Sequence, residues 1–241
     1  MTDIPAENLP HHKISVTAHP RWKDCRTMHV AISMGQKAHD GEKLHSLLHW
    51  TRARSDLLIL NVSDTLNRHN LRHLCGDDKS AHGQALAMGD AWLARNRALI
   101  KSFEGPGFIV KRWDSWLAHP DYPELLKGIQ QLLHENLPFR DAVMQDATGF
   151  MRRRNHLLPA NRLQEMTGHC IDYLLEEVAV YILVGRTYRA NRVYPSSDLE
   201  SFVFMRENTA LLPAALRGLE LTTHVNINFK KYSPVALSEA A

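Results

Sequence analysis

Apolar and polar positions along the 241-residue chain follow two different periods. Three short runs read as strands: "MHVAISM" (28–34), suited to a central parallel strand buried on both faces, "DLLILNVS" (56–63), the next buried strand, and "GFIVKRW" (107–113), a third strand. "KISVTAH" (13–19) alternates as an edge strand does. Between the first two runs, "DGEKLHSLLHWTRAR" (40–54) sets Leu44, Leu47, Leu48 and Trp50 at helical spacing, with acidic residues in the first turn. Strand, helix and strand in that order predict a right-handed βαβ unit, the start of a doubly wound sheet. Further on, the pattern predicts one long helix over about 80–103, two helices within 120–156 and a helix over about 160–185. A short strand in "YRANRVYP" (188–195), a helix near 197–207 and a closing strand in "LTTHVNINF" (221–229) complete the pattern.

These elements describe a Rossmann-like α/β domain: a doubly wound, mostly parallel sheet with surrounding helices. No internal repeat or linker divides it, so residues 13–232 are expected to form one domain, with 1–12 a flexible leader and 233–241 a flexible tail. Apolar residues at 44% and charged ones at 23% are ordinary globular composition. No apolar run has the length of a membrane span. The start "MTDIPAENLPHHK" lacks the layout of a signal peptide, so a cytoplasmic location without a membrane partner is the expectation. Cys25, Cys75 and Cys170 form no CxxC pair and read as free thiols.

Charge and histidine change the picture only locally. The formal net charge is +3, but Arg95, Arg97 and Lys101 fall together, as do Arg152, Arg153 and Arg154, and either cluster can meet an anionic partner. His45 and His49, and His69 and His73, are each spaced i,i+4, without an HExxH form or an obvious third ligand, so no metal is expected.

The candidate chemistry lies at strand ends. Ser33 ends a buried strand, where open parallel sheets bind their ligands. Its surroundings are neither GxSxG nor a phosphate-binding loop, and a strand-end serine is more often a cap or filler. Tyr173 and Glu177 are four apart and share one face of an otherwise apolar helix. A phenol and a carboxylate there are costly unless something polar, such as a substrate ammonium, meets them. Tyr194 stands at another strand end, just before Pro195.

With these residues in place, the chain resembles the cyclodipeptide synthases, enzymes that join the amino acids of two aminoacyl-tRNAs into a cyclic dipeptide. One signature, an apolar strand ending in glycine, an aliphatic residue and serine, is matched by "AIS" (31–33) with Ala31 for the glycine; Thr27 stands where a histidine is usual. The other is matched by Tyr173, Leu174 and Glu177, with Ala179 in the place of a proline. Tyr194-Pro195 and Gln36 are similar to the branch that carries Tyr-Pro, and the ordered set spans Thr27 to Leu216.

The resemblance implies a fold similar to the catalytic domain of class I tyrosyl- and tryptophanyl-tRNA synthetases. It implies ping-pong acyl transfer through an aminoacyl-serine and a dipeptidyl-serine on Ser33. Glu177 and Tyr173 would hold the α-ammonium, Tyr194 would move protons, and backbone amides near Gly35 and Gln36 would face the oxyanion. His29, Ala31 and Val180 are expected to flank the amino-acid pocket, and the two basic clusters to bind tRNA. No cofactor or metal is implied, and no DNA partner; the chain would act as a monomer or homodimer. Two other classes stay open: a synthetase-like tRNA-binding module without catalysis, and a serine acyltransferase or hydrolase that needs no tRNA.

Overall fold

The computed structural model describes residues 11–154 and 160–231. The expected tail, and all but the end of the expected leader, lie outside the described residues. The chain runs β1 (His12–Ala18), β2 (Thr27–Ser33), α1 (Gly41–Arg52), β3 (Leu57–Ser63), α2 (Arg68–Cys75), α3 (Asp78–Arg95), α4 (Arg97–Ser102), β4 (Phe108–Arg112) and α5 (Asp114–Leu117). It continues through α6 (Tyr122–Glu135), α7 (Leu137–Arg154), α8 (Ala160–Tyr188), β5 (Asn191–Tyr194), α9 (Glu200–Glu207) and β6 (Thr223–Lys231).

Six strands form one sheet in the order β1-β6-β5-β2-β3-β4. β2 pairs in parallel with β3 and β5, β3 with β4, and β5 with β6, while β1 is antiparallel on β6 at the edge. From β2 the chain first builds outward through β3 and β4, then returns to place β5 and β6 on the other side. The strand order therefore reverses between β2 and β5, and in such sheets the crevice at the carboxyl ends of those two strands is the ligand site.

Side-chain alternation divides the apolar residues of β2 between two cores. Met28, Val30 and Ile32 pack with Leu58, Leu60 and Val62 of β3 against Leu44, Leu47 and Leu48 of α1. Ala31 faces the opposite way, into a core built on α8 with Phe139 and Val143 of α7 and Phe202 of α9. His29, Ala31 and Ser33 share that second face by their spacing of two. In α8 every residue from Val178 to Val184 is buried, as expected of a helix that is apolar all round.

Two features differ from the expected pattern. The long helix over 80–103 is two, α3 and α4, which meet at Asn96, where the backbone leaves the helical region (φ −98°, ψ 8°) and the side chain donates to the Trp92 carbonyl (3.0 Å). α2 has no counterpart in the expectation. Only His69 and Leu71 of its eight residues are buried, and its apolar face is short, with Leu71 and Cys75 meeting Ala81, Ala85 and Met88 of α3. Ion pairs tie it to α8, from Arg68 to Glu176 and from Arg72 to Asp172 (2.8 Å). Among the described residues no helix is long and apolar enough to cross a membrane. The three cysteines form no disulfide.

Candidate active site

β2 and β5 deliver the two residues at the switch point. β2 ends at Ser33 and turns at once: the Gln36 amide donates to the Ser33 carbonyl (3.2 Å), and Gly35 holds φ +78°, a conformation that favours glycine. β5 ends at Tyr194, whose hydroxyl lies 2.9 Å from Ser33 Oγ. The two hydroxyls therefore meet across the crevice, 161 residues apart in the chain.

They open into a cavity of about 790 Å³, lined also by Gly35, Gln36, Tyr173, Glu177 and Arg153. Tyr173 and Glu177 project from one face of α8, as their spacing requires. On the far side, Asp146 of α7 accepts from the Glu200 and Ser201 amides (both 2.9 Å) and so anchors α9 against the cavity wall. Asp198 lies 3.3 Å from the Arg192 guanidinium, 2.6 Å from that of Arg206 and 3.7 Å from the His224 ring. The Arg192 guanidinium lies over the rings of Tyr181 (4.2 Å) and Phe202 (4.1 Å).

This setting tunes the titratable groups. Burial pushes the Glu177 carboxyl up to about 7; the positive charge of Arg192 opposes the rise, and the negative charges of Asp146 and Asp198 add to it. Burial, then the charge of Glu177, holds the Tyr173 phenol well above its ordinary value. Burial also raises Tyr194, which its hydrogen bonds with Ser33 and Gln36 partly offset. At neutral pH both phenols are therefore protonated, while Glu177 stands near the midpoint of its titration.

The structure brings Ser33, Gly35, Gln36, Tyr173, Glu177 and Tyr194 around one cavity. It does not place His29, Ala31 or Val180 on the wall, and this corrects the expected pocket. The His29 ring is fully buried behind Tyr181, at 5.3 Å between ring centroids, and its pKa is lowered to about 3 by burial and by Arg192. Ala31 and Val180 are buried in the core built on α8 and do not line the cavity. Tyr181 and Arg192, which do line the cavity, went unread in the sequence.

The basic clusters also separate. Arg95 is bridged to Asp40 (2.9 Å), while Arg97 and Lys101 are exposed on α4. Arg152 and Arg153 are exposed on α7, and Arg153 reaches the cavity. The Arg154 side chain lies outside the described residues. His69 of the histidine pairs is engaged by Glu176 (3.2 Å), and among the described residues no three His, Cys, Asp or Glu side chains group as metal ligands do.

Two features were missed in sequence. Glu176, beside Glu177, is buried under Arg68, His69 (3.2 Å), the Trp113 indole N–H (2.8 Å) and the Tyr122 hydroxyl (3.1 Å). His39 lies under the serine, its Nδ1 accepting from the Ser33 amide at 2.9 Å. A glutamate pair on an apolar helix was the available signal for the first; nothing local marked the second.

A mostly parallel sheet with a serine and a tyrosine meeting in the crevice at its switch point defines the class, a Rossmann-type α/β protein. Comparison with solved structures places it within that class: the fold is that of the cyclodipeptide synthases. A cyclodipeptide synthase from Fluoribacter dumoffii superposes with a TM-score of 0.74 at 22% identity, over 91% of this chain and all of that one. One from Candidatus Glomeribacter gigasporarum, bound to Phe-tRNAPhe, gives 0.66 at 16%, over 86% and 88% of the two chains. A Mycobacterium tuberculosis protein, whose structure relates cyclodipeptide synthetases to type I tRNA synthetases, gives 0.68 at 15%, over 92% and 97%. No protein-family model and no curated relative matches the sequence.

Proposed function

We propose that this chain is an aminoacyltransferase that makes a cyclic dipeptide from two aminoacyl-tRNAs. The observation that carries this reading is the 2.9 Å contact between Ser33 and Tyr194 at the mouth of a cavity that also holds Tyr173 and Glu177. A nucleophile, a proton carrier and an ammonium-binding pair within one crevice are what two successive acyl transfers need.

In the first transfer, Ser33 Oγ attacks the ester carbon of an aminoacyl-tRNA. Its proton passes to the Tyr194 oxygen as the phenol proton goes to the departing ribose oxygen. A seryl ester forms, the tRNA ester breaks, and tRNA leaves with a free hydroxyl. The Gln36 amide is spent on the turn, which leaves the Gly35 amide as the oxyanion donor.

Glu177 and Tyr173 hold the α-ammonium through charge-assisted contacts worth about 1.5–3 kcal/mol. With its pKa near 7, Glu177 is close enough to an α-amino group to take its proton when that amine must attack. The freed amine of the aminoacyl-serine attacks the second aminoacyl-tRNA ester, giving a dipeptidyl-serine and a second free tRNA. The terminal amine then attacks the seryl ester; the ring closes, and Ser33 recovers its proton through Tyr194. Arg153, at the cavity mouth, and Arg152 beside it are the better placed of the two basic clusters for phosphates next to the acceptor end.

Mass spectrometry of medium from bacteria expressing the chain, beside a Ser33→Ala control, tests this directly. A new cyclic dipeptide only with the intact serine is the expected result. Its absence from both cultures, with folded protein present, would favour a tRNA-binding module without catalysis.

A further inference from the structure

Between Ser33 and the start of α1 the chain makes a short helical turn that ends at His39. This residue is 1% exposed, and it touches both reacting side chains' supports. Its Nδ1 accepts from the Ser33 backbone amide at 2.9 Å. Its ring packs against that of Tyr194, with centroids 5.3 Å apart and planes at 67°. Its own backbone is pinned twice: the amide donates to the Gln36 carbonyl (2.9 Å), and the carbonyl accepts from the Trp92 indole (2.8 Å).

We propose that His39 is a positioning residue, whose neutral imidazole fixes the Ser33 backbone and the Tyr194 ring in the register that lets the two hydroxyls meet. The role rests on the functional reading above, and it concerns geometry rather than proton transfer. An imidazole that accepts at Nδ1 carries its proton on Nε2. Burial lowers the His39 pKa to about 4, so the ring is neutral at neutral pH, and the Ser33 contact selects this tautomer. The Ser33 amide lies where β2 has ended, and β3 is itself ending at Ser63 in register with it, so the imidazole supplies an acceptor that the sheet ladder does not. Without that acceptor the amide loses its partner, and the 2.9 Å contact with Tyr194 loosens with it. A residue that merely fills the core would act through its volume; this one acts through one ring nitrogen.

Three variants separate the two roles. His39→Phe keeps a ring beside Tyr194 but removes the acceptor. His39→Asn places an oxygen near the position of Nδ1, and His39→Gln places its amide near Nε2. Acylation of Ser33 by aminoacyl-tRNA is followed by mass spectrometry in a single turnover, with tRNA affinity measured alongside. The expected result is an acylation rate lowered about tenfold or more in the Phe variant, with affinity unchanged, and largely restored in the Asn variant. A folded Phe variant with the wild-type rate would overturn the proposal. Should the Phe variant not fold, equal rates for Asn and Gln would overturn it, and Asn faster than Gln would support it. Should wild-type Ser33 not acylate at all, the functional reading fails, and ¹⁵N shifts of the imidazole then decide the geometry. An Nε2-protonated ring at pH 7 supports the contact; a ring protonated on Nδ1 overturns it.

Discussion

Glu177→Gln keeps the shape of the side chain and removes its charge, and the structure sets opposite expectations for stability and activity. The folded chain raises this carboxyl from an ordinary 4.5 to about 7. Below pH 4.5 it is neutral in both folded and unfolded chains, so the variant and the wild type should be equally stable. Between pH 4.5 and 7 the unfolded chain ionises while the folded one resists, so wild-type stability falls as pH rises. The loss is complete above pH 7. At about 1.4 kcal/mol per pH decade the ceiling is about 3 kcal/mol, and because the carboxylate borders an open cavity the expected advantage of Gln at pH 8 is about 1–3 kcal/mol. Cyclic dipeptide formation should fall roughly 10- to 150-fold, the equivalent of a lost charge-assisted contact. Urea unfolding at pH 4.5 and pH 8, with product quantified at pH 8, reads both effects. A variant less stable than wild type at pH 8 would mean that Glu177 is held by a partner in the fold and not by a substrate ammonium. That outcome refutes the role given to it.

Tyr194→Phe leaves the ring edge-to-face with His39 and removes the hydroxyl 2.9 Å from Ser33. Turnover should drop about 100-fold or more while the melting temperature holds, and unchanged turnover would exclude Tyr194 from proton transfer. Arg153→Ala should weaken tRNA binding and lower the magnitude of the log–log salt slope by about 1, as one phosphate contact does. An unchanged slope in filter binding would direct attention to Arg97 and Lys101. Glu176→Ala strands Arg68, which is largely buried, and should destabilise the fold by about 3–5 kcal/mol in urea, whereas a loss under about 1 kcal/mol would show that the hub is not a support.

The centre of the sheet was legible because β2 and β3 are buried on both faces, and burial leaves a continuous apolar run at each. The candidate site was legible for a related reason. Ser33 and Tyr194 interrupt the chain where such runs end, and Tyr173 and Glu177 break an apolar helix at a spacing of four. A polar group is conspicuous only against an apolar background. α2 had no such background: its "RHNLRHLC" is held by ion pairs to residues about a hundred positions away, and no local period records a partner at that distance. The pocket wall failed in the same way. His29 shares a strand face with Ser33, but Tyr181 and Arg192 intervene between it and the cavity, and an interposed side chain is a fact of packing between elements.

Glu176 and Glu177 carry this argument furthest, because the sequence presents them as equals. They are adjacent, identical, and on the same apolar helix, and one step along a helix turns a side chain by about 100°. That rotation takes Glu176 toward α2, α6 and the residue before α5, where Arg68, His69, Tyr122 and Trp113 satisfy it. Burial there works against ionisation, but hydrogen bonds from His69 and Arg68 and their charges outweigh it and bring its pKa down to about 2. The same rotation leaves Glu177 in the crevice with Asp146 and Asp198 nearby and only Arg192 to offset its burial, and its pKa rises to about 7. One carboxylate is finished within the fold and the other is incomplete without a cation. On the proposed reading, in which Ser33 is the nucleophile and Tyr194 the proton carrier, the α-ammonium of an acyl group within reach of Ser33 is the cation that completes Glu177.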